Sequence, residues 1–447
     1  LVNTFVTEGF LQYKITSTDG GYTMSDFADV PKSSTATDTI LAENISIEKG
    51  KTHTYKIIIN YNNSEEVDQS ADMGKTLTGK IFITKGTERP TLANQLLNDN
   101  PTIGTRTDFS TPFTTNTANT LYKATENGTD VYYFAGKDTE STPINNWVKF
   151  GKNSSNQDLY WRIIRTNSDG SIRLLYHGTS TTATDAYIGT SKFNTNENSP
   201  KYVGYMYGDT DATLEEARTN TNNSTIKTTI DNWYASNMIS YTKYLTTAVY
   251  CNDRELATGS TYKVANYIKN DTETLIAYLD ASDTKIAIDI PPDKFDTPVF
   301  NFKPDERLST NKTPTYDCTN DNDKFTVDAS TGNGKLTYPI ALMTADEIAY
   351  AGGVYKIKAP MWYYTNSSLE SSTGTTYCWS LSPDSWVGGN AHSWSVRGSA
   401  FPGYLSVSRV SDSSGVRPAI SLKACTLWTS GNGTPETPYE IVGNGGC

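Results

Sequence analysis

The chain has 447 residues and a net charge of −11, from 38 Lys and Arg against 49 Asp and Glu. No basic cluster offsets this charge, which argues against nucleic acid as a partner, and no apolar run of about 18 residues is present to span a membrane. Charged residues make up only 19%, so Thr, Ser and Asn supply much of the polarity, as in secreted β-rich surface proteins. We expect an exported chain, and its start at Leu1 would fit a leader that has been removed.

Residues 1–88 alternate apolar and polar side chains in three stretches, 10–15, 53–59 and 77–83, with turn-forming residues between them. This pattern predicts an N-terminal antiparallel β-sandwich. Exposed edge strands in such a domain would permit self-assembly by strand addition. A domain boundary is expected at residues 89–90, and residues 89–120 are predicted to form a linker that contains a short helix at 91–98.

The second domain is expected over residues 121–447. Stretches 131–134, 160–165 and 172–176 predict strands, and the sequence NSDG between the last two predicts a hairpin turn. The fold class expected for the whole chain is therefore α+β and β-rich.

Two helices are predicted in the second domain. One begins at Ser224 and continues to about residue 238, and the other begins at Thr344, where Glu347 completes a capping box. Residues 257–308 are less regular and are expected to form a surface insertion, with one strand at 286–290.

Catalytic and metal-binding patterns are scarce. The three histidines, His53, His177 and His392, lack the spacing of a metal site, and no nucleophile or phosphate-binding motif is present. We therefore expect no enzyme, although counting carboxylates alone leaves a glycan-acting enzyme as an alternative.

An acidic segment near Cys318 has oxygen-bearing side chains of the kind that bind calcium, but without the EF-hand pattern. We expect a solvated turn and no cofactor, with calcium left open. Its residues are Asp317, Asn320, Asp321, Asn322 and Asp323.

The five cysteines are Cys251, Cys318, Cys378, Cys425 and Cys447. None lies in a CxxC motif, so disulfides are favoured over zinc. The number is odd, so at least one thiol is unpaired or joins another chain, and the connectivity stays open at this point.

The stretch 379–422 has the most informative composition of the chain, because Trp, Phe and Tyr recur between Ser, Gly and Asn. Such a mixture is typical of adaptable binding surfaces, where aromatics supply contact area and small polar residues supply hydrogen bonds. A rigid frame is expected from Trp379, Leu381, Pro383, Trp394, Val396 and residues 415–418 (GVRP).

Between the frame residues, we predict a displayed set that binds a ligand within residues 385–413. The members of this displayed set are Ser385, Trp386, Val387, Asn390, His392, Ser393, Ser395, Ser399, Phe401, Tyr404, Ser406, Ser408 and Arg409.

Several segments between residue 121 and the end carry a family resemblance. The main ones are YWRIIRTNSDGSIRLLY (160–176), KLTYPIALMTADEIAYAGG (335–353), WSLSP (379–383) and GVRPAISLK (415–423). They resemble surface proteins of gut Firmicutes with a C-terminal C-type-lectin-like domain, in the branch of formylglycine-generating-enzyme-like modules and of variable proteins of diversity-generating retroelements. The resemblance implies a diversified ligand-binding face between the last two segments. The catalytic cysteines of the formylglycine-generating enzymes have no counterpart here, so no activity is implied.

The resemblance also implies a disulfide between Cys251 and Cys318. The second pair would then be Cys425 with Cys447, which leaves Cys378 as the odd thiol beside the displayed set.

The function expected from sequence is that of an extracellular, adhesin-like binding protein on a cell surface or filament. Its partner would be a protein or a glycan on another cell or on a host surface. Two alternatives remain: a structural subunit of an extracellular filament or matrix that assembles through the N-terminal sandwich, and a glycan-acting enzyme.

Overall fold

The computed structural model describes all residues except 38, 44, 46, 48–50, 84–88, 116, 118–119, 137–142, 183–185, 263, 270–272, 279–297, 360–376, 388, 399–400 and 442–447. The described chain is β-rich, mixed α+β, with several open sheets. It divides into two compact units, Leu1–Glu88 and Arg89–Cys447. No described helix is long and apolar enough to cross a membrane.

The first unit is built on a three-stranded antiparallel sheet. The unit contains five strands in its described part: β1 (Val2–Asn3), β2 (Leu11–Ser17), β3 (Ala28–Asp29), β4 (Tyr55–Tyr61) and β5 (Leu77–Thr78). The sheet has the order β3-β2-β4, and β1 pairs separately with β5. Leu11, Tyr13 and Ile15 alternate along β2 and pack with Val30 in a small core. Of the predicted strand at 77–83, only the first two residues are paired.

The second unit contains helices α1 (Leu92–Asp99), α2 (Leu214–Ala217), α3 (Thr225–Asn237), α4 (Lys303–Asp305) and α5 (Ala345–Ala351). Its strands are β6 (Thr102–Thr105), β7 (Thr120–Glu126), β8 (Thr129–Phe134), β9 (Trp147–Lys152), β10 (Asp158–Thr166), β11 (Ile172–Gly178), β12 (Thr190–Lys192), β13 (Met206–Tyr207), β14 (Asn222–Asn223), β15 (Tyr250–Cys251), β16 (Val264–Lys269), β17 (Glu273–Tyr278), β18 (Pro298–Asn301), β19 (Lys324–Phe325), β20 (Ile340–Leu342), β21 (Val354–Tyr355), β22 (Tyr377–Val387), β23 (Asn390–Arg397), β24 (Tyr404–Arg409), β25 (Ser413–Gly415), β26 (Pro418–Leu422), β27 (Trp428–Ser430) and β28 (Glu440–Ile441). Short 3₁₀ turns lie at Ser70–Asp72, Pro200–Val203, Ile239–Tyr244 and Asp321–Asp323, and a π-helical turn lies at Glu306–Asn311.

Two larger sheets organise the second unit. One has the order β20-β26-β11-β10-β8-β7-β6, with β9 also paired to β10, and the other has the order β12-β25-β22-β23-β24-β21, with β18 also paired to β22. Side chains from both sheets meet those of α3 and α5 in one hydrophobic core. Its largest fully buried side chains include Trp161, Trp379, Trp386 and Trp394.

The local sequence signals of the second unit are confirmed. Strands β10 and β11 pair as a hairpin, and Gly170 in its turn has φ +80°, which glycine adopts at little cost. Helix α3 begins after Ser224, whose side chain accepts a hydrogen bond from the Lys227 N–H. Helix α1 follows Thr91 in the same way, and α5 has the predicted capping box.

Two predictions about connecting segments need correction. Residues 89–120 are no free linker, because α1 buries Leu92 and Leu96 completely and β6 pairs in parallel with β7. The end of the predicted surface insertion is also part of the packed unit, since β18 pairs with β22 and Phe302 is only 1% exposed. The strand predicted at 286–290 lies outside the described residues.

A buried carboxylate connects α5 to the larger sheet. Glu347 is 1% exposed, and its Oε1 accepts hydrogen bonds from Arg165 Nε at 3.0 Å and Arg173 Nη1 at 2.7 Å. Its Oε2 accepts from the Thr344 N–H at 3.0 Å, which completes the capping box. Burial alone would raise the pKa of Glu347, but the charges of Arg173 and Arg165 outweigh burial and lower the pKa. Glu347 is therefore ionised and paired inside the fold.

Further ion pairs lie close to this carboxylate, around the same cavity. Arg165 also bonds Glu126 at 2.9 Å, and Arg307 bonds both Asp346 at 2.9 Å and Asp253 at 2.6 Å. The remaining space between these groups is a cavity of about 20 Å³. That volume accommodates about one water molecule, so the cluster is packed structure with no room for a larger ligand.

The disulfide between Cys251 and Cys318 is confirmed, and Cys378 is a buried thiol. Cys425 is also disulfide-bonded. Its expected partner, Cys447, lies outside the described residues, so that pairing stays a prediction.

Glu347→Gln is expected to lower the free energy of unfolding of the second unit by about 3–5 kcal/mol, because two buried arginines would lose their shared charge partner. All eight Trp lie beyond residue 88, so tryptophan fluorescence in a urea titration reports this unit. The control Asp130→Asn breaks an ion pair with Lys123 that is roughly half exposed, and should cost at most about 1 kcal/mol. Equal losses in the two variants would contradict the role assigned to Glu347.

Removal of the Cys251–Cys318 disulfide by a double Cys→Ala change is expected to lower the free energy of unfolding by roughly 4 kcal/mol. The bond closes a loop with a sequence separation of 67 residues. Its removal raises the conformational entropy of the unfolded chain, which favours unfolding. Cys378→Ala removes a buried sulfur without opening a loop and should cost about 1 kcal/mol. The same urea titration measures both, and a double variant no less stable than Cys378→Ala would count against this estimate.

Candidate functional site

The predicted displayed set lies on β22, β23 and β24 of the seven-stranded sheet. The strands are adjacent and antiparallel, and the register pairs His392 with Arg409, Ser393 with Ser408 and Arg397 with Tyr404. One short region of sheet therefore contains most of the predicted residues.

Four predicted members of the displayed set are buried, which corrects their assignment as ligand contacts. Ser393 and Ser395 are 0% exposed, Trp386 is 1% exposed and Ser385 is 4% exposed. The reason is that β22 and β23 are interior strands of the sheet and that both α5 and the turn Pro200–Val203 pack against them. Trp386 is a core residue, and the small serines permit close packing between strands.

The other described members remain at least partly accessible. Phe401 is 41% exposed, and Ser399 lies outside the described residues. The accessible members are Val387, Asn390, His392, Phe401, Tyr404, Ser406, Ser408 and Arg409.

An open depression lies against β23, β24 and the turn after β24, and we call it the β23–β24 groove. Its volume is about 680 Å³. It is lined by Tyr377, His392, Val407, Ser408, Arg409, Asp412, Ser413 and Ser414. Three of these residues belong to the predicted set, and a groove of this size falls within the usual range for ligand sites.

The sequence interpretation missed several lining residues of the groove. Val407, Asp412 and Ser413 lie within the predicted range but were not singled out, whereas Tyr377 and Ser414 lie outside it. Tyr377 lies beside Ser414 because the next residue of β22, Cys378, pairs in parallel with Gly415 of β25. The turn that carries Asp412 is closed by a hydrogen bond from its N–H to the Arg409 carbonyl at 2.9 Å.

An aromatic and cationic cluster extends from the groove through Tyr377. The Arg397 guanidinium lies 4.5 Å from the centre of the Phe401 ring and 5.4 Å from that of Tyr377. Phe401 meets Tyr404 edge to face with ring centres 6.1 Å apart. Such contacts between cations and ring faces hold the aromatic side chains in a preferred orientation.

His392 is a titratable lining residue of the groove whose pKa is shifted. Burial lowers its pKa, the charge of Arg409 lowers it further, and the hydrogen bond to Asn390 opposes the shift. The imidazole is therefore neutral at pH 7. Its Nδ1 lies 3.1 Å from the Asn390 carbonyl oxygen. Because a carbonyl only accepts, Nδ1 carries the proton and donates a hydrogen bond, which leaves Nε2 as an acceptor.

The other two histidines do not line the groove and make contacts within the protein. His177 is 3% exposed, and its ring lies against Trp147 with 4.4 Å between the ring centres. His53 lies in the first unit, where its Nδ1 is 3.3 Å from the Tyr55 hydroxyl.

The acidic segment at 317–323 is exposed at Asp317, Asp321 and Asn322, as expected for a solvated turn, and buried at Asp323. Asp323 is 0% exposed and bonds Arg254 Nε at 2.7 Å, while Asp321 pairs with Lys324. Asp317 accepts a hydrogen bond from the Asn127 N–H. Within the described ranges, no three His, Cys, Asp or Glu side chains form a metal-binding group.

Comparisons of the chain with protein-family models, with curated proteins and with solved structures give no match. The functional argument therefore depends on the groove and its neighbourhood.

Asp384 is a buried carboxyl group beside the site that the sequence interpretation did not single out. It is 5% exposed, and its Oδ2 accepts a hydrogen bond from Ser385 Oγ at 2.6 Å. Burial raises the pKa of Asp384 to about 8, with a further contribution from the charge of Asp305. The folded protein therefore holds a proton on Asp384 at neutral pH.

Asp384→Asn is expected to change how stability depends on pH. An unfolded Asp has a pKa of about 3.9. The folded protein favours protonated Asp384, so the contribution of this group to the free energy of unfolding is complete below that pH. This stabilisation is lost as the pH rises through about 8. Relative to the Asn variant, which cannot ionise, the wild-type protein should lose several kcal/mol between pH 4 and 8, at about 1.4 kcal/mol per pKa unit.

Urea titrations followed by tryptophan fluorescence across this pH range measure the difference. Glu215→Gln removes an exposed carboxylate in α2 and should keep the wild-type profile. Parallel profiles for wild type and Asp384→Asn would show that Asp384 is already ionised in the fold.

Proposed function

We propose that the chain is an exported bacterial surface or filament-associated binding protein of the adhesin type. In this proposal the second unit has a C-type-lectin-like fold, and the first unit is a β-sandwich that carries it. The β23–β24 groove receives a protein or a glycan from another cell or a host surface. The observation that supports this most is the open groove of about 680 Å³ within the stretch that the sequence singles out for binding.

The side chains of the groove supply complementary kinds of contact. Arg409 donates hydrogen bonds, Asp412 accepts them, and the serine hydroxyls do both. Tyr377 offers a ring for stacking on an apolar sugar face or a peptide side chain. A ligand rich in hydroxyl or carboxylate groups fits this set best, because every lining residue except Val407 carries a polar group.

The chemistry of the groove favours binding over hydrolysis. A glycosidase of the usual kind needs two carboxyl groups on opposite sides of the scissile bond. Of the described residues that line the groove, Asp412 alone has a carboxyl group. Asp384 is buried and does not line the groove.

The double variant His392→Ala/Arg409→Ala is expected to weaken ligand binding at least tenfold, a loss of about 1.4 kcal/mol. The two residues are cross-strand neighbours on the groove wall, and their loss removes a charged donor and a ring acceptor. A glycan array and a panel of intact cells would identify ligands, and titration against the strongest hit would measure the change.

Lys152→Ala is the matched control, since Lys152 is an exposed cation on β9, which belongs to the other larger sheet. It should leave binding unchanged. If the groove variant binds the ligand as tightly as wild type while remaining folded, the groove is not the binding site.

A further inference from the structure

The core of the first unit is open at one edge. In the described part of this unit, β4 pairs only with β2 and stands at the edge of the order β3-β2-β4. Ile59 on β4 lies directly opposite Tyr13 on β2, so the two side chains share a face of the sheet. Tyr13 is 8% exposed, whereas Ile59 is 55% exposed. The apolar face therefore continues past the point where the unit covers it.

A second exposed apolar feature lies in the same unit. After β5, residues 79–83 belong to no strand, and Ile81, Phe82 and Ile83 are 68%, 75% and 93% exposed. Ile and Phe favour extended strands, and solvent exposure of three in succession is unfavourable for an isolated soluble unit. We call residues 80–83 the donor segment and β4 the acceptor edge.

We propose that the donor segment of one copy adds as an antiparallel strand to the acceptor edge of a second copy. Such an arrangement places Ile83 beside Ile59 and Ile81 beside Tyr61, on the face of the sheet that is exposed in a single copy. The backbone N–H and C=O groups of the edge gain partners, which is the usual basis of strand addition.

Charge favours this direction of pairing. An exposed acidic run, Glu65, Glu66 and Asp68, follows the end of β4, while Lys80 begins the donor segment. In an antiparallel arrangement the start of the donor lies beside the end of β4, so Lys80 approaches the acidic run. A parallel arrangement would move Lys80 to the other end of the strand.

The contact joins two different surfaces and can repeat. A copy that gives its donor segment still has a free acceptor edge, so each addition leaves a new end and produces an open chain of molecules. This inference concerns the first unit alone and does not depend on the binding role of the groove.

Sedimentation velocity of the full chain over a range of concentrations tests the proposal. The wild-type protein should form oligomers that grow with concentration. The donor variant Ile81→Lys/Ile83→Lys and the acceptor variant Ile59→Lys should each be monomeric alone. All three side chains are more than half exposed, so neither variant should unfold more easily, which thermal unfolding would check.

Mixing the two variants gives the sharpest result. The acceptor variant retains a donor segment and the donor variant retains an acceptor edge, so an equimolar mixture should form a one-to-one dimer and nothing larger. Met73→Lys changes another exposed side chain of the same unit, 81% exposed, and should assemble like wild type. The groove variant His392→Ala/Arg409→Ala should also assemble like wild type.

Three results would overturn the proposal. The first is a wild-type protein that stays monomeric, including one whose donor segment protects its own β4 in hydrogen exchange. The second is assembly that persists in both variants. The third is loss of assembly in Met73→Lys as well, which would indicate unspecific apolar contact.

Discussion

The bonds of Glu347 to Arg165 and Arg173 are the interaction on which the second unit depends. A carboxylate with 1% exposure is tolerated only because both arginines neutralise it and because the capping box of α5 uses its remaining oxygen. These bonds fix the N-terminus of α5 against β10 and β11 of the larger sheet. Helix α5 in turn packs against β22 and β23, so the position of the groove follows from a charge cluster in the interior.

Features set by local chemistry could be predicted from the sequence. The hairpin turn at Gly170, the cap at Ser224 and the capping box at Thr344 each involve residues close together in the chain, and all three are present. Predictions that depended on distant partners were less successful. The composition of residues 89–120 predicts a linker, yet Leu92 and Leu96 pack in the core of the second unit. Composition does not reveal a parallel partner strand or a buried helix face.

The candidate site shows the same division. The stretch that the sequence singles out contributes most of the groove lining. The sequence does not predict which of its side chains are buried, since register shifts within β22 on both sides of Pro383 disrupt the simple alternation of faces. Ser393 and Ser395 look like surface residues by composition and are buried because small side chains fit between packed elements. The groove also recruits Tyr377 and Asp412 from opposite ends of the stretch, a proximity that strand pairing creates and that spacing along the chain does not show.

The disulfide between Cys251 and Cys318 has a consequence for processing by proteases. Every peptide bond between these two cysteines lies inside a covalently closed ring, and this ring contains the whole of residues 257–308. A single cut within the ring leaves the N-terminal and C-terminal fragments joined through sulfur. The groove on the C-terminal fragment and the whole first unit on the N-terminal fragment would thus stay on one molecule after nicking, and only reduction would separate them.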